Sequence, residues 1–360
     1  MTHSPVSIEI VISVHDPQRP LERAIRSVLD THSQHRVSVL VVEHNCADGA
    51  FDSVRLALEG EPVRWLRFRD GIKSPAGPFN FGISQSTGDY VGLLGSDDRF
   101  ESGAVDSLLR RLDETRPDVL VYPLRHDGQP SLPNPLARKW RTRNLHVVRD
   151  RLMYRTAPLA LVRQGIWLSS DYAFTEGLPT GEDVSVSAAL WFSEARIDFH
   201  PRDPGYVIMN DGPQRVTLEV RPLHEEFRPF LRLFSLTWVQ QLGTEERLAL
   251  VVKTVRVHVL GALFRRLADG SWSEKDRTAV QRILAVAEAL SPRYLEVLSR
   301  ADGRLLRDVQ EPITTFEDFE IKVRRRNEAG RSDRWLTADL RLVLHRESPL
   351  RRLIRYATWP

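Results

Sequence analysis

Between Ser7 and Pro123 the chain alternates five short apolar runs with four segments of helical character, and this alternation limits the fold more than any other feature. The runs "SIEIVISV" (7–14), "RVSVLVVE" (36–43), "PVRWLRF" (62–68), "YVGLLG" (90–95) and "PDVLVYP" (117–123) have strand length and are mostly rich in β-branched or aromatic residues. Between the first two, Leu21, Ala24, Ile25, Val28 and Leu29 recur at the spacing of one helix face. Val105, Leu108, Leu109 and Leu112 do the same behind Ser102, a candidate N-cap. "FDSVRLALEG" (51–60), closed by Gly60, and "PFNFGISQS" (78–86), stopping before Gly88, read as the other two helices. Strand and helix alternating at this spacing predict an α/β fold, with a Rossmann-like, mainly parallel central sheet and helices on both faces.

Sheets of this kind bind ligands beyond the carboxyl ends of their strands. The residues that follow the strands are therefore the ones to read: His15-Asp16, Glu43-His44-Asn45, Arg69-Asp70 and Ser96-Asp97-Asp98. Asp97 and Asp98 place two mutually repelling carboxylates at the end of an apolar strand. They are either an ordinary acidic helix start or two hard oxygen donors for Mg²⁺ or Mn²⁺, with a phosphate completing the shell. A second acidic pair, Glu182-Asp183 in "PTGEDVSV", reads either as a helix start or as a general base that takes a proton from a hydroxyl.

Other signals are softer. "GIKSPAGPFNFGI" brings Lys73 and Asn80 together but is neither a Walker A loop nor GxGxxG. Lys73 reads as a phosphate contact or a surface lysine. Arg215 in "MNDGPQRVT" reads as a contact to an anionic leaving group or as part of a turn. His200 and His224 stand alone and suit structural or exposed positions better than a metal site. Cys46 is the single cysteine, so no internal disulfide can form and no zinc motif is present.

With 51 basic and 48 acidic residues, the near balance argues against a nucleic-acid partner. The start "MTHSPVSIEIVISVHD" has no basic leader, which together with the lone cysteine leads us to expect a cytoplasmic protein. "LALVVKTVRVHVLGALF" (248–264) is interrupted by Lys253, Arg256 and His258 and reads as a core helix, not a membrane span. Arg125 to Asp150 reads as a long loop. Three regions are expected: 1–217, the α/β domain; 218–300, helical; and 301–360, mixed and basic. In the last, "FEIKVRRRN" and "DLRLVLHRE" could pair as strands of a small β-containing unit. The final 20 residues hold five arginines against Glu347.

Taken in order, "VSIEIVISVHDPQRPLERAIRSVL", "VSVLVVEHNCADG", "FNFGISQSTGDYVGLLGSDDRFESGAVDSLLRRL" and "GEDVSV" resemble the family 2 glycosyltransferases of GT-A fold, over about residues 6–215. The resemblance implies a site. Ser13 and His15 would border the nucleotide base, and Glu43, His44 and Asn45 would face base and ribose. Lys73 and Asn80 would lie near base or phosphate. Asp97 would contact ribose or sugar, and Asp98 would bind the divalent metal of a DxD-type motif. Asp183 would be the catalytic base, with Glu182 on acceptor or donor sugar. Two residues depart from the family pattern: His44 stands where an aspartate usually meets uracil, and His15 where an aromatic is expected. A neutral imidazole can still accept a hydrogen bond, so UDP stays the default nucleotide.

The implied reaction is inverting transfer from a nucleoside-diphosphate sugar to a cell-surface glycan, polymer or lipid-linked acceptor, assisted by Mn²⁺ or Mg²⁺. The helical region is open to two uses, acceptor orientation or a homo-oligomer. The basic C-terminus is open to peripheral contact with the inner face of a membrane, or to plain solvation. A degenerate domain working as a binding or assembly module is the rival reading. A nucleotidyltransferase ranks lower, because "SVHDPQRPLE" lacks the Gly/Arg/Lys-rich loop that such enzymes carry.

Overall fold

Four of the five apolar runs become strands buried on both faces, which must be covered twice, while 62–68, with Arg64 and Arg67 exposed, becomes an edge strand. A computed structural model describes residues 4–211, 221–313 and 315–359. The first compact unit comprises residues up to His146 together with Asp150–Val216; the second comprises Val147–Arg149 and Thr217–Trp359.

In the first unit the elements run β1 (Ile8–Val14), α1 (Leu21–Leu29), β2 (Val37–His44), α2 (Asp52–Ala57), β3 (Val63–Phe68), α3 (Ala76–Gln85), β4 (Tyr90–Gly95) and β5 (Arg99–Phe100). They continue with α4 (Ala104–Thr115), β6 (Val119–Val121), β7 (Leu124–His126), β8 (Ala160–Arg163), α5 (Gln164–Trp167), α6 (Val184–Phe192), β9 (Ile197–Phe199) and β10 (Tyr206–Ile208). Seven strands form the main sheet in the order β3-β2-β1-β4-β8-β6-β9. All neighbours are parallel except β8, which runs antiparallel to both β4 and β6. Sequence reading did not find β8, whose "ALVR" is too short for a period to show. A second sheet joins β5, β10 and β7.

The strand order places the site. From β1 the chain moves out to β2 and β3 on one side, then returns to β4 on the other side of β1. The carboxyl ends of β1 and β4 therefore flank a switch point, where crossovers leave in opposite directions and open a crevice. Opposite that edge, the buried Glu9 carboxylate is held by the Ser86 hydroxyl at 2.6 Å, the Thr87 amide at 2.7 Å and Arg64 at 3.2 Å. Helix α3 lies close against the sheet: a Cβ at Gly82 would meet Val11 Cγ1 at 2.5 Å, so only glycine fits.

The second unit is helical. It contains α7 (Leu223–Glu226), α8 (Arg228–Ser235), α9 (Thr237–Gln240), α10 (Thr244–Lys253), α11 (Leu260–Asp269), α12 (Glu274–Leu290), α13 (Arg300–Asp308), α14 (Phe316–Asn327), α15 (Arg331–Trp335) and α16 (Pro349–Ala357). The run 248–264 is a core helix whose middle, Thr254–Val259, widens into a π-turn. The small β-containing unit expected in 301–360 does not form among the described residues: "FEIKVRRRN" lies within α14, and "DLRLVLHRE" is a 3₁₀ turn followed by loop. The reason is local. Thr315 caps α14 through its side chain, acidic residues open the helix and Arg324, Arg325 and Arg326 close it, so the dipole is complemented at both ends. No helix among the described residues is long and apolar enough to cross a membrane.

Candidate active site

Gly95 is where the carboxyl edge of the sheet becomes chemistry. It ends β4, and in register it lies beside Ser13 of β1, which faces Val42 of β2 on its other side. A Cβ at Gly95 would stand 2.8 Å from Asp98 Oδ2 and 3.2 Å from Asp97 Oδ1. The two carboxylates thus converge over Gly95, where any side chain would push against both.

Each carboxylate is anchored differently. The Asp97 carboxylate is paired with Arg19 at 3.0 Å, both side chains mostly buried, and its backbone carbonyl accepts from Arg23. Arg23 in turn pairs with Asp211. Asp98 Oδ2 accepts from the Tyr206 hydroxyl at 2.5 Å and Oδ1 from the Met209 amide at 2.9 Å. The Tyr206 oxygen also accepts the Gly95 amide at 3.0 Å. Burial and then the Asp98 carboxylate push the Tyr206 hydroxyl far above its usual range, so it stays protonated and donates. Among the described residues, no three His, Cys, Asp or Glu side chains gather as a ready metal site. The chain instead offers two adjacent carboxylates, the number that Mg²⁺ typically takes from protein when a substrate phosphate supplies further oxygens. That donor set fits a cation shared with a diphosphate.

His15 sits at the surface after β1, within electrostatic reach of Arg19, Asp16, His44 and Asp97. Partial burial and then Arg19 lower its pKa, so the neutral imidazole prevails. His44 ends β2 almost fully buried, with Nε2 2.8 Å from Asp70 Oδ1. Its second ring nitrogen has no hydrogen-bond partner among the described residues. Burial raises the Asp70 pKa, but hydrogen bonds from His44, the Ile72 amide and Asn45 outweigh it and hold the carboxyl below its usual value. Asn45, in the left-handed region at φ 54°, accepts the Asp70 and Gly71 amides through Oδ1. The post-β2 and post-β3 turns are thereby laced together.

Two expected site residues are engaged elsewhere. Glu43 does not turn toward a base: its carboxylate is buried between Arg55 at 2.7 Å and Arg67 at 3.2 Å, since two guanidinium groups compensate its burial better than a crevice would. Asn80 is not open to a phosphate. Its amide donates to the Phe174 carbonyl and Glu176 carboxylate and accepts the Phe174 amide. Lys73 is exposed on the turn before α3. Arg215 lies outside the described residues.

Asn80 nonetheless bears on the second acidic pair. The segment it clamps, Phe174–Glu176, bonds onward: the Thr175 amide donates to the Glu182 carbonyl at 2.9 Å. Glu182 and Asp183 are half-buried at the start of α6, with Asp183 in its N-cap position. His200 and His224 join none of this. His200 is buried near Arg111 and Asp203, and His224 is exposed beside Glu225. Sequence reading missed Arg19, Tyr206 and the role of Asp70. Of these, only Asp70 carried a signal, its place after a strand.

Residues 9–167 match the sequence model described as glycosyl transferase family 2. Among curated proteins, the chain is 22% identical over 233 residues to the poly(ribitol-phosphate) beta-N-acetylglucosaminyltransferase TarS of Staphylococcus aureus, covering 64% of this chain and 40% of that protein. It is 20% identical over 208 residues to the enzyme TarP of the same species, covering 57% of this chain and 63% of that one. A third relative is the GalNAc(5)-diNAcBac-PP-undecaprenol beta-1,3-glucosyltransferase of Campylobacter jejuni, 24% identical over 108 residues, 30% of this chain and 35% of that one. The chain thus spans less than two thirds of each of these relatives. Among solved structures, S. aureus TarS 1-349 in complex with UDP-GlcNAc superposes with a TM-score of 0.74 at 13% identity, over 89% of this chain and 92% of that one. The fold is GT-A.

Proposed function

On a chain whose residues 9–167 are a glycosyl transferase family 2 domain, we propose an inverting glycosyltransferase. It would move a sugar from a nucleoside-diphosphate sugar, by default a UDP-sugar, to a hydroxyl of a cell-surface glycan, polymer or lipid-linked acceptor. The observation that carries this reading is the convergence of Asp97 and Asp98 over Gly95 at the switch point of the sheet. The names of TarS and TarP, and the UDP-GlcNAc bound to TarS, support a UDP-sugar and a polymer acceptor.

In this reading Asp183 accepts the proton of the acceptor hydroxyl. The freed oxygen forms its bond to the anomeric carbon on the face opposite the diphosphate. The bond from that carbon to the phosphate oxygen breaks, its electron pair leaves with the diphosphate, and the configuration inverts. Asp98, with Asp97 beside it, would hold Mn²⁺ or Mg²⁺, which when bound supplies Lewis acidity to the leaving group. Ser13 and His15 would border the base, and His44, its Nε2 committed to Asp70, would present its other nitrogen there. Glu182 would meet a sugar. Lys73 would meet a phosphate.

Asp183→Asn should abolish transfer while UDP binding, measured by calorimetry with Mn²⁺, persists. Turnover near wild type in that variant would sink the base assignment. A second reading, a domain that binds without turning over, draws on His15 and His44 at the base edge and on the Arg19 pair that occupies Asp97. Donor hydrolysis by the wild-type chain separates the two, because a binding module leaves the sugar on the nucleotide.

A further inference from the structure

The long loop between β7 and β8 carries "RKWRTR" (138–143), four cations around one indole. Its geometry is a turn: the Arg141 amide donates to the Arg138 carbonyl at 3.0 Å, so Trp140 takes the third position. There its φ is 69°, a left-handed conformation that such turns normally give to glycine or asparagine and that a bulky aromatic rarely adopts. The turn is anchored from within. Arg138 donates to the fully buried Asp150 carboxylate through its backbone amide at 3.0 Å and its guanidinium at 2.8 and 2.7 Å. A strained but firmly held backbone thus presents an indole to solvent, and Trp140 is 75% exposed. The cations around it divide in two. Arg138 is taken by Asp150, Arg143 pairs with Glu114 at 3.2 Å, and Arg141 donates to the Asn144 carbonyl. Lys139 and Arg202 remain, both exposed, 4.9 and 5.6 Å from the Trp140 ring centroid. Neither is paired with a carboxylate among the described residues. The acids close by are engaged: Asp203 with Arg111 at 2.8 Å, and Asp198 with the Thr115 hydroxyl and the Asn144 amide.

We propose that Trp140, Lys139 and Arg202 form a subsite for an anionic glycan. The apolar C–H face of one sugar ring lies on the indole, and the two cations take charged groups on the units to either side. An exposed cation and ring attract each other only weakly, so Lys139 and Arg202 can swing from the indole to the ligand. The subsite stands on the edge of the sheet that holds the acidic pair. The Leu145 amide donates to the Ile197 carbonyl and the Phe199 amide to the Thr142 carbonyl, so residues 142–145 run against β9 and reach Trp140 at its carboxyl end. That end is in register with the carboxyl end of β6 and lies on the same edge as Gly95 of β4. Three strand spacings separate β9 from β4, about 14 Å, a span that a few linked sugars cover. This deepens the transferase reading and rests on it: the glycan is the acceptor chain, gripped several units from its reacting hydroxyl. Other occupants fit less well. A single nucleic-acid strand is held by successive stacking rings, and Trp140 makes no ring contact with another aromatic among the described residues. A bilayer would need apolar residues to enter beside the indole, and the chain neighbours of Trp140 are Lys139 and Arg141.

The test is calorimetric binding of phosphorylated dextran to the full chain, against neutral dextran, inorganic polyphosphate and oligo(dT). Phosphorylated dextran should bind best, because it alone offers both the sugar face and the charges. Trp140→Gly should weaken it on the order of tenfold, as losing a buried aromatic face does, and Trp140→Tyr should keep most of the affinity. Lys139→Gln/Arg202→Gln should weaken binding several-fold and flatten its salt dependence. Because glycine suits φ 69°, Trp140→Gly should unfold at no lower temperature than wild type. UDP binding in Mn²⁺ should be equal in Trp140→Gly and wild type. Its absence from both would sink the transferase reading and leave the glycan subsite to stand on the dextran result. The subsite is overturned if wild type does not bind phosphorylated dextran, if Trp140→Gly binds it unchanged, or if polyphosphate or oligo(dT) binds more tightly. A marked fall in the unfolding temperature of Trp140→Gly, or a dimer that this variant dissolves, would also overturn it, since the indole would then serve packing or self-association.

Discussion

Tyr206 shows how one hydroxyl can govern a carboxylate. It donates to Asp98 and accepts from Gly95, so it fixes both the acidic residue and the strand end that carries it. Tyr206→Phe removes both bonds in a buried place and should cost about 1.5–3 kcal/mol of stability, the range for hydrogen bonds to charged groups. If Asp98 holds the cation, the same variant should weaken UDP binding in Mn²⁺ but leave UDP binding in EDTA unchanged. Equal affinities for variant and wild type in Mn²⁺ would argue against that role for Asp98. Gly95→Ala is the harsher change, because its methyl would displace Asp98 Oδ2 from 2.8 Å and Asp97 Oδ1 from 3.2 Å. The acidic pair could be read in the sequence because its two members are neighbours in the chain. Its partners could not: Tyr206 lies 108 residues from Asp98, and no local pattern marks a tyrosine as the donor to a distant carboxylate.

Among elements, α3 and α6 are linked through the Phe174–Glu176 segment. Asn80 holds that segment by three hydrogen bonds, and the segment holds the Glu182 backbone. Asn80→Ala should therefore loosen the Glu182-Asp183 turn. We expect kcat to fall roughly ten- to a hundredfold, as misplacing a catalytic group does, while the Kd for UDP stays close to wild type. A matching loss in Kd would return Asn80 to the nucleotide contact that the sequence suggested. In the helical unit, the π-turn Thr254–Val259 carries His258, whose Nε2 lies 2.9 Å from Lys253 Nζ and whose ring packs on Phe230. Burial, then Lys253 and Arg265, hold its pKa well below the usual 6.5. The unfolded chain takes up that proton below about pH 6.5 and the folded chain does not, so stability falls as pH drops through this window, by up to about 1.4 kcal/mol per pH unit. Urea unfolding of His258→Leu should lack this part of the slope. An unchanged slope would place the acid sensitivity elsewhere.

At the scale of the molecule, a donor that binds the folded state alone must raise thermal stability by mass action. UDP-sugar at about a hundred times its Kd should add roughly 2.7 kcal/mol. A screen of nucleotide sugars with Mn²⁺ and with EDTA reads base, sugar and cation dependence together, and a flat result across the nucleotides would remove the donor from the proposal. The amino-acid sequence by itself determined the strands of the parallel half-sheet, the helices between them and the two acidic pairs. Each of these is written in residues a few positions apart, where periodicity and strand ends can be seen. It did not reveal α14, whose apolar residues at alternate positions resembled a strand until caps and charges were weighed. Only the tertiary structure decided the strand order with β8 inserted, and hence which strand ends share the crevice. It also decided that Glu43 turns to Arg55 and Arg67 and that Arg19 faces Asp97. The physical reason is common to all of these. Buried charges take their partners from whatever the fold brings near, and those partners lie far apart along the chain.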